Sequence, residues 1–342
     1  MGNYWDIFVE GYKGYASYLW YDITHPGWHS YFYWLILVSV FFFILEVVVP
    51  WRKKQPILRK DFWMDAFYMF FNFFLFSLII YNAASDVIVN LFNDGIKNLT
   101  GGFDLQASNP MRNFPYWAIL LIGFLLRDFI QWWVHRLLHW SPRLWEFHKV
   151  HHSVRQMGFA AHLRYHWMEN IVYKTLEYIP LALLGIGLYD FFVIHIMALV
   201  WGHYNHSNIT VDGKITGGVI GGLLGIIMAA ELLDVHLLAG LSSSLKWGIA
   251  VFCIPIGALV LGPFMKKIFN SPEMHIWHHA HDIPENMKYG INFGITLAIW
   301  DYIFGTAHIP HTGRDIALGF PGVDEYPQDF INQNLHGFGK ME

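Results

Sequence analysis

Five histidines fall within residues 135–152, HRLLHWSPRLWEFHKVHH: His135, His139, His148, His151 and His152. His135 and His139 are four apart, so on a helix both rings leave one face. His148, His151 and His152 repeat the device at spacings of three and four. A further group, His275, His278 and His279, follows far downstream in HIWHHAHD. Neutral imidazole is the commonest metal-binding side chain. One such histidine on a surface is better read as a solvated polar group. Eight in helical register, from distant segments, point to more than one metal ion.

The donor set narrows the chemistry. Cys253 is the one cysteine, which excludes an intramolecular disulfide and a thiolate cage. A structural zinc site takes four ligands, usually with cysteine among them. Here the supply suits two ions with several nitrogens each and open positions. Imidazole serves iron, copper and zinc alike, so spacing alone does not fix the metal. Open positions argue for chemistry, and an apolar surrounding argues for an apolar substrate. Together they suggest oxygen activation next to a lipid.

The elements that must position these residues are apolar. Of 342 residues, 55% are hydrophobic and 14% charged, against roughly a quarter charged in soluble domains. The expected fold is an all-α integral membrane protein, with spanning helices and helical hairpins under a cytoplasmic histidine-rich cap. With a net charge of −4 and no basic tract, nothing points to nucleic acid. Residues 1–28 lack the basic start and apolar core of a signal peptide, and read as a segment outside the membrane or on its surface. Residues 31–49 predict the first span. The loop 51–60 carries Arg52, Lys53, Lys54, Arg59 and Lys60, which marks it as cytoplasmic. A long apolar helix over 62–92 runs outward, the loop 93–114 fits the outer side, and 115–134 return inward and run into HRLLH. Residues 167–206 hold too much apolar chain for one crossing of roughly 20 residues. They predict a hairpin, 168–184 and 188–206, turning at Gly185–Gly187. It returns His203 and His206 to the side it left. A second, Gly-rich hairpin, 215–230 and 245–262, brings the chain back for the last histidine group. The tail after 282 is polar and is expected to cap the cluster. Asp128 lies seven residues before His135, two turns back on the same face. It is a candidate to orient a ligand imidazole, or else a partner for Arg127.

The joint pattern HxxxH, HxxHH, a middle histidine and HxxHH resembles the fatty acid hydroxylase / sterol desaturase superfamily of membrane di-iron enzymes. It is met by His135–His139, His148–His152, His206 and His275–His279, over about 115–210 and 262–306. Asp128, Asn205–Asn208, Asn270–His279, Asp282, Asn292–Gly294, Trp300–Asp301 and Phe304–Thr306 agree with it. The resemblance implies two iron ions, with zinc as a substitute on purification, held by His135, His139, His148, His151, His152, His206, His275, His278 and His279. His203, three residues from His206, is a tenth candidate. Asp128, His166, Glu169, Asp282 and Asn292 are candidates for support behind the ligands, and His162 and His281 for solvent or supporting positions. The implied reaction is hydroxylation or desaturation of a sterol, fatty acid or related lipid with O2. The implied electron donor is a separate ferredoxin or cytochrome b5-type protein, with Lys149, Arg155, Lys266 and Lys267 as candidate docking residues.

On this reading 1–114 hold the N-terminal segment and two spans, 115–306 the di-iron domain, and 307–342 the polar tail. An extra apolar hairpin at about 212–258 departs from the family. It could wall a lipid tunnel, meet a partner or anchor the fold. The competing class is a histidine-rich metal transporter or metal-binding protein without oxygenase activity. A transporter would string His, Asp or Glu through the spans, where His195 is the one deep histidine. An HExxH protease motif is absent.

Overall fold

The computed structural model of the chain describes residues 3–101, 111, 113–183, 188–231 and 236–339. Among these residues the regular structure is helical, with two isolated β-bridges, Phe269 to Leu297 and Ala280 to Leu318. The turn expected at Gly185–Gly187 and most of the loop 102–112 lie outside the described residues.

Helix α1 spans Tyr4–Thr24 and α2 Tyr31–Val48. Helix α3 (Phe62–Phe70), a π-helical stretch (Phe71–Tyr81) and α4 (Asn82–Thr100) run on as one rod. Helix α5 is Tyr116–Trp140, α6 Pro142–His152, α7 Trp167–Leu183 and α8 Leu188–His206. The Gly-rich pair is α9 (Gly213–Ala229) and α10 (Ser243–Ile256), continued by α11 (Gly262–Ile268). Short helices α12 (Pro272–His278), α13 (Ile299–Ile303) and α14 (Phe330–His336) close the chain. Among the described residues four rods are long and apolar enough to cross a membrane by length and composition: Tyr31–Val48, Phe62–Thr100, Tyr116–Trp140 and Ser243–Ile268.

Two of the expected features differ. The N-terminal segment is a 21-residue helix, α1, capped by the Asn3 side chain. The Tyr4 and Tyr15 hydroxyls donate to Asp94 and Asp86 at 3.1 and 3.2 Å, so α1 lies along α4. The basic loop after α2 is only partly a solvated positive patch. Arg59 is buried, 2.6 Å from Asp65 and donating to the Gln156 carbonyl at 2.8 Å. Arg52 donates to the Met157 carbonyl at 2.7 Å. Local charge marks the loop's side and not its burial; the carbonyls of a distant strap, 153–164, give its arginines partners. The contact also fixes the loop to the same side as the histidine segments.

Two Ser-Pro pairs set the direction of the histidine-bearing helices. Ser141 ends α5 and caps α6, accepting from Leu144 N, with Pro142 in the first turn. Ser271 and Pro272 do the same for α12, with Met274 N as donor. Proline is tolerated there because its missing N–H has no intrahelical partner in the first turn. The expected Gly-rich hairpin is present. A Cβ at Gly221 would lie 2.2 Å from the Cys253 carbonyl oxygen, and one at Gly225 2.7 Å from Ala250 Cα. Glycine on one face lets the two backbones touch, as in helix pairs packed in lipid.

Candidate metal centre

The histidines close into two groups. His135 and His139 from α5, His148 and His152 from α6 and His278 from α12 form the first; His151, His206, His275 and His279 form the second. Within each group the ligand-type atoms lie within 4.8 Å of one another. Each HxxHH motif is divided between them. His148 and His152, four apart, face the first group, and His151 turns to the second. His275 and His279 face the second, and His278 turns to the first. Adjacent helical residues diverge by about 100°, so the split follows from the helix. The groups adjoin: the His152 and His279 rings stack at 4.4 Å.

For five of the rings a hydrogen bond at the outer nitrogen leaves the inward nitrogen as a lone-pair donor. His206 Nδ1 donates to the Gly202 carbonyl at 2.8 Å and His151 Nδ1 to the Arg164 carbonyl at 3.0 Å. Each bond fixes the tautomer and leaves Nε2 without a proton. Those two Nε2 atoms nevertheless stand 3.3 Å apart, and His275 Nε2 is 3.0 Å from His206 Nε2. Facing lone pairs repel unless a cation sits between them. A tetrahedron around a metal–nitrogen bond of about 2.0–2.1 Å has edges of about 3.3 Å, so the spacing fits an ion. In the first group His135 Nδ1 donates to the Phe293 carbonyl, His278 Nδ1 to the Ile291 carbonyl and His148 Nδ1 to Glu169 Oε2, each at 2.8 Å. Among the described residues the buried Nε2 atoms of His139 and His148 have no hydrogen-bond partner. The donor set, all imidazole, suits iron, copper or zinc.

Burial keeps these rings neutral. His148, His152, His275, His278 and His279 are held well below the usual histidine value, by burial first and by neighbouring imidazoles second. His151 is pushed down to about 3 by burial and the nearby His135, against the bond to the Arg164 carbonyl. A neutral ring is the metal-binding form.

Of the supporting candidates, Glu169 meets a ligand-type imidazole, His148, and Asp128 is placed differently from the sequence reading. Asp128 meets neither a ligand imidazole nor Arg127. It accepts from the Thr296 and Leu297 backbone at 3.0 and 3.2 Å and from Trp300 Nε1 at 2.9 Å. Asp301 accepts from Trp132 Nε1 at 3.0 Å, from Phe293 N at 2.9 Å, from Gly294 N at 2.7 Å and from Thr306 Oγ1 at 2.6 Å. Both carboxylates hold the loop whose Phe293 carbonyl orients His135. The role of Asp301 went unread because the sequence gives no local sign of it. Asn292, at φ 54°, donates to the Met274 and His308 carbonyls and supports the same loop.

His203 stands outside both groups, which corrects its candidacy as a tenth ligand. Its Nδ1 donates to the Leu199 carbonyl at 3.1 Å and its Nε2 lies 3.2 Å from Ser39 Oγ, so both nitrogens are committed. His162 lies beside it, 3.1 Å between the Nδ1 atoms. His166 is likewise committed, with Nε2 donating to the Asn334 carbonyl and Nδ1 accepting from Met168 N at the start of α7. Asp282 is 91% exposed and pairs with His281; it does not reach either group. Of the candidate docking residues, Lys149 pairs with Glu146, Arg155 with Asp324 and Lys266 with Glu273.

Two cavities flank the histidines and share no lining residue. One, of about 220 Å³, meets His135, His148, His151, His206 and His275 and extends between α5, α7 and α8. The other, of about 450 Å³, meets His139, His152 and His278 and is rimmed by Asp282, Glu285 and Lys288. Among the described residues of 212–258 none lines either cavity. Glu177 is 3.3 Å from Arg127 in the first cavity's wall, a pair the sequence reading did not anticipate.

The fold and site define a helical protein with membrane-length apolar rods and two polyhistidine groups under one cap. The fatty acid hydroxylase model matches residues 120–220 and 215–306, more than half of the chain, and the chain belongs to that family. It is similar to an ornithine lipid hydroxylase from Rhizobium tropici, 26% identical over 65% of this chain and 50% of that protein. It is also similar to a protein named as a methylsterol monooxygenase from Dictyostelium discoideum, 27% identical over 49% of this chain and 59% of the other. A very-long-chain aldehyde decarbonylase from Oryza sativa is 37% identical over 19% of this chain and 22% of that protein. The chain thus spans about half the length or less of two of these relatives and under two thirds of the third. No solved structure matches it.

Proposed function

We propose that the chain is a membrane di-iron oxygenase that hydroxylates a lipid with O2 and electrons from a separate donor protein. Desaturation is the neighbouring outcome of the same site. The observation that carries the reading is the pair of lone-pair cages, His135–His139–His148–His152–His278 and His151–His206–His275–His279, opening on a cavity between apolar helices. Bound there, two iron ions would supply activation of O2 toward an unactivated C–H bond. The chain's own part is positioning. Glu169, the Phe293 and Ile291 carbonyls, and the Arg164 and Gly202 carbonyls hold five imidazoles in the metal-binding tautomer. The cavity between α5, α7 and α8 would seat the lipid and keep water out. The opposite cavity, open to the cap surface, would face the electron donor.

Membrane transport of a metal ion fits less well, because Arg127 and Lys174 stand in the wall of the lipid-side cavity and would oppose a cation. The positive charge of the 51–60 loop, to which the cap is bonded, supports a cytoplasmic cap. Reporter fusions after Lys60 and Lys267 should both read cytoplasmic.

The test of the site is anaerobic titration with ferrous iron. The wild-type chain should take up about two ions. His206→Ala should lose metal and activity together, because the second group loses a nitrogen, while His236→Ala, on the exposed hairpin tip, keeps both. Full metal content in His206→Ala would remove it from the ligand set.

A further inference from the structure

The cavity beneath the histidines is not an apolar slot. On α7 the residues Asn170, Tyr173, Lys174 and Glu177 line it, at the spacings of three, four and seven that make one helical face. On α5 Arg127, Gln131 and His135 line it at intervals of four. Arg127 Nε lies 3.3 Å from Glu177 Oε1, with both side chains buried. The Lys174 ammonium stands 5.1 Å from the centre of the Tyr81 ring.

Two helices independently set the depth of this ionic layer. Eight residues separate Arg127 from the ligand-type His135, and eight separate Glu177 from Glu169, the partner of His148. At 1.5 Å of rise per residue each interval is about 12 Å. The layer sets two basic side chains, Arg127 and Lys174, against the one carboxylate of Glu177, while Glu169, the other carboxylate lining the cavity, is bonded to His148 about 12 Å away. An excess of basic side chains over carboxylates at one level inside a bundle of apolar helices is costly to keep charged and marks a functional position. A substrate that carries an anion removes that cost.

We infer that the Arg127–Lys174–Glu177 layer seats an anionic group of the lipid substrate, a carboxylate or a phosphate, and thereby sets the carbon to be oxidised about 12 Å from that group. The inference rests on the reading of the histidine groups as an oxygenation centre. It makes these three side chains specificity-determining: a neutral lipid of the same length would enter less well and with its carbons less defined.

The experiment is equilibrium binding to the full-length protein in phosphatidylcholine nanodiscs. The probes are hexadecanoate, hexadecyl phosphate and hexadecanol, which share one chain and differ in the head. At least one anion should bind about tenfold or more tighter than hexadecanol, the size expected of a charge-assisted hydrogen bond. The better anion identifies the source as a carboxylate or a phosphate. Lys174→Met should lose most of that preference at unchanged metal content, since the layer is remote from the ligands. The double variant Arg127→Gln/Glu177→Gln removes the pair together and should weaken the preference too. Hexadecanol binding as tightly as both anions would overturn the inference, as would a preference that survives in both variants. Should Lys174→Met fail to fold, the wild-type series and the double variant decide. Anion preference in a chain that takes up no metal would support the seat and count against the oxygenase reading alone.

Discussion

Removing the Asp301 carboxylate should unseat His135 without touching a ligand. Asp301 is fully buried and accepts from the Trp132 indole, the Phe293 and Gly294 backbone N–H groups and the Thr306 hydroxyl. In Asp301→Ala the hydroxyl can turn to another acceptor, but three N–H donors are left inside. At about 1–3 kcal/mol for each unmet buried donor the loss would be about 3–9 kcal/mol. Water entering the vacated space lowers it toward about 4 kcal/mol. For a chain of this size that is a fall of about 6 °C in Tm. Asp301→Asn keeps one acceptor oxygen and should lose about half as much. The Phe293 carbonyl also drifts from His135 Nδ1, so metal affinity should fall by about ten- to a hundredfold. Detergent-solubilised variants would be followed by size-exclusion chromatography after heating and by competition with a chelator. An Asp301→Ala protein that melts within about 2 °C of wild type and holds metal as tightly would refute the reasoning.

Glu169→Gln should weaken metal binding by about ten- to a hundredfold with little change in Tm, because the carboxylate orients His148; unchanged affinity in the chelator assay would deny it that part. Gly221→Leu drives a side chain onto the Cys253 carbonyl and should destabilise the α9–α10 hairpin by about 1–3 kcal/mol or more. Its iron content should stay at the wild-type level, and a matching loss of metal would link the hairpin to the site. The metal-free chain should lose stability as pH falls. Its buried histidines titrate below the unfolded value of about 6.5, so the unfolded state takes up protons first. Stability is full above that pH and drops by about 1.4 kcal/mol per pH unit for each ring that lags, continuing toward about 3 for His151. Equal Tm for the metal-free protein at about pH 7.5 and about pH 5.5 would contradict this.

The histidine groups were legible because their spacing is local: i, i+3 and i+4 on a helix put the rings on one side before any tertiary contact is known. Which rings share a group was not. His151 and His152 are neighbours in the chain, yet they belong to different groups, and only the packing of α6 between α5, α8 and α12 decides that. The Gly-rich pair within 215–262 could be read from its apolar length and its glycines. Asp128 could not, since its partners are backbone groups 168 and 169 residues away. His203 shared helical register with His206, but Ser39 from α2 and the Leu199 carbonyl claim its nitrogens. Arg52 and Arg59 followed the charge pattern of a cytoplasmic loop, and the strap at 153–164 buries part of that charge. The ionic layer of α5 and α7 was written at helical spacing in the sequence, hidden because each member alone looks like a snorkelling or paired residue.

The most direct measurement is a single turnover with isotopically labelled O2. The protein would be reconstituted with ferrous iron in the absence of air, given a membrane lipid extract and a reductant, and then exposed to the labelled gas. The account predicts one labelled oxygen in a lipid product, formed only when about two irons are bound per chain. A new double bond without label would move the reaction to desaturation at the same site. Full iron loading with no O2 consumed, across several donors and lipid classes, would contradict the oxygenase assignment.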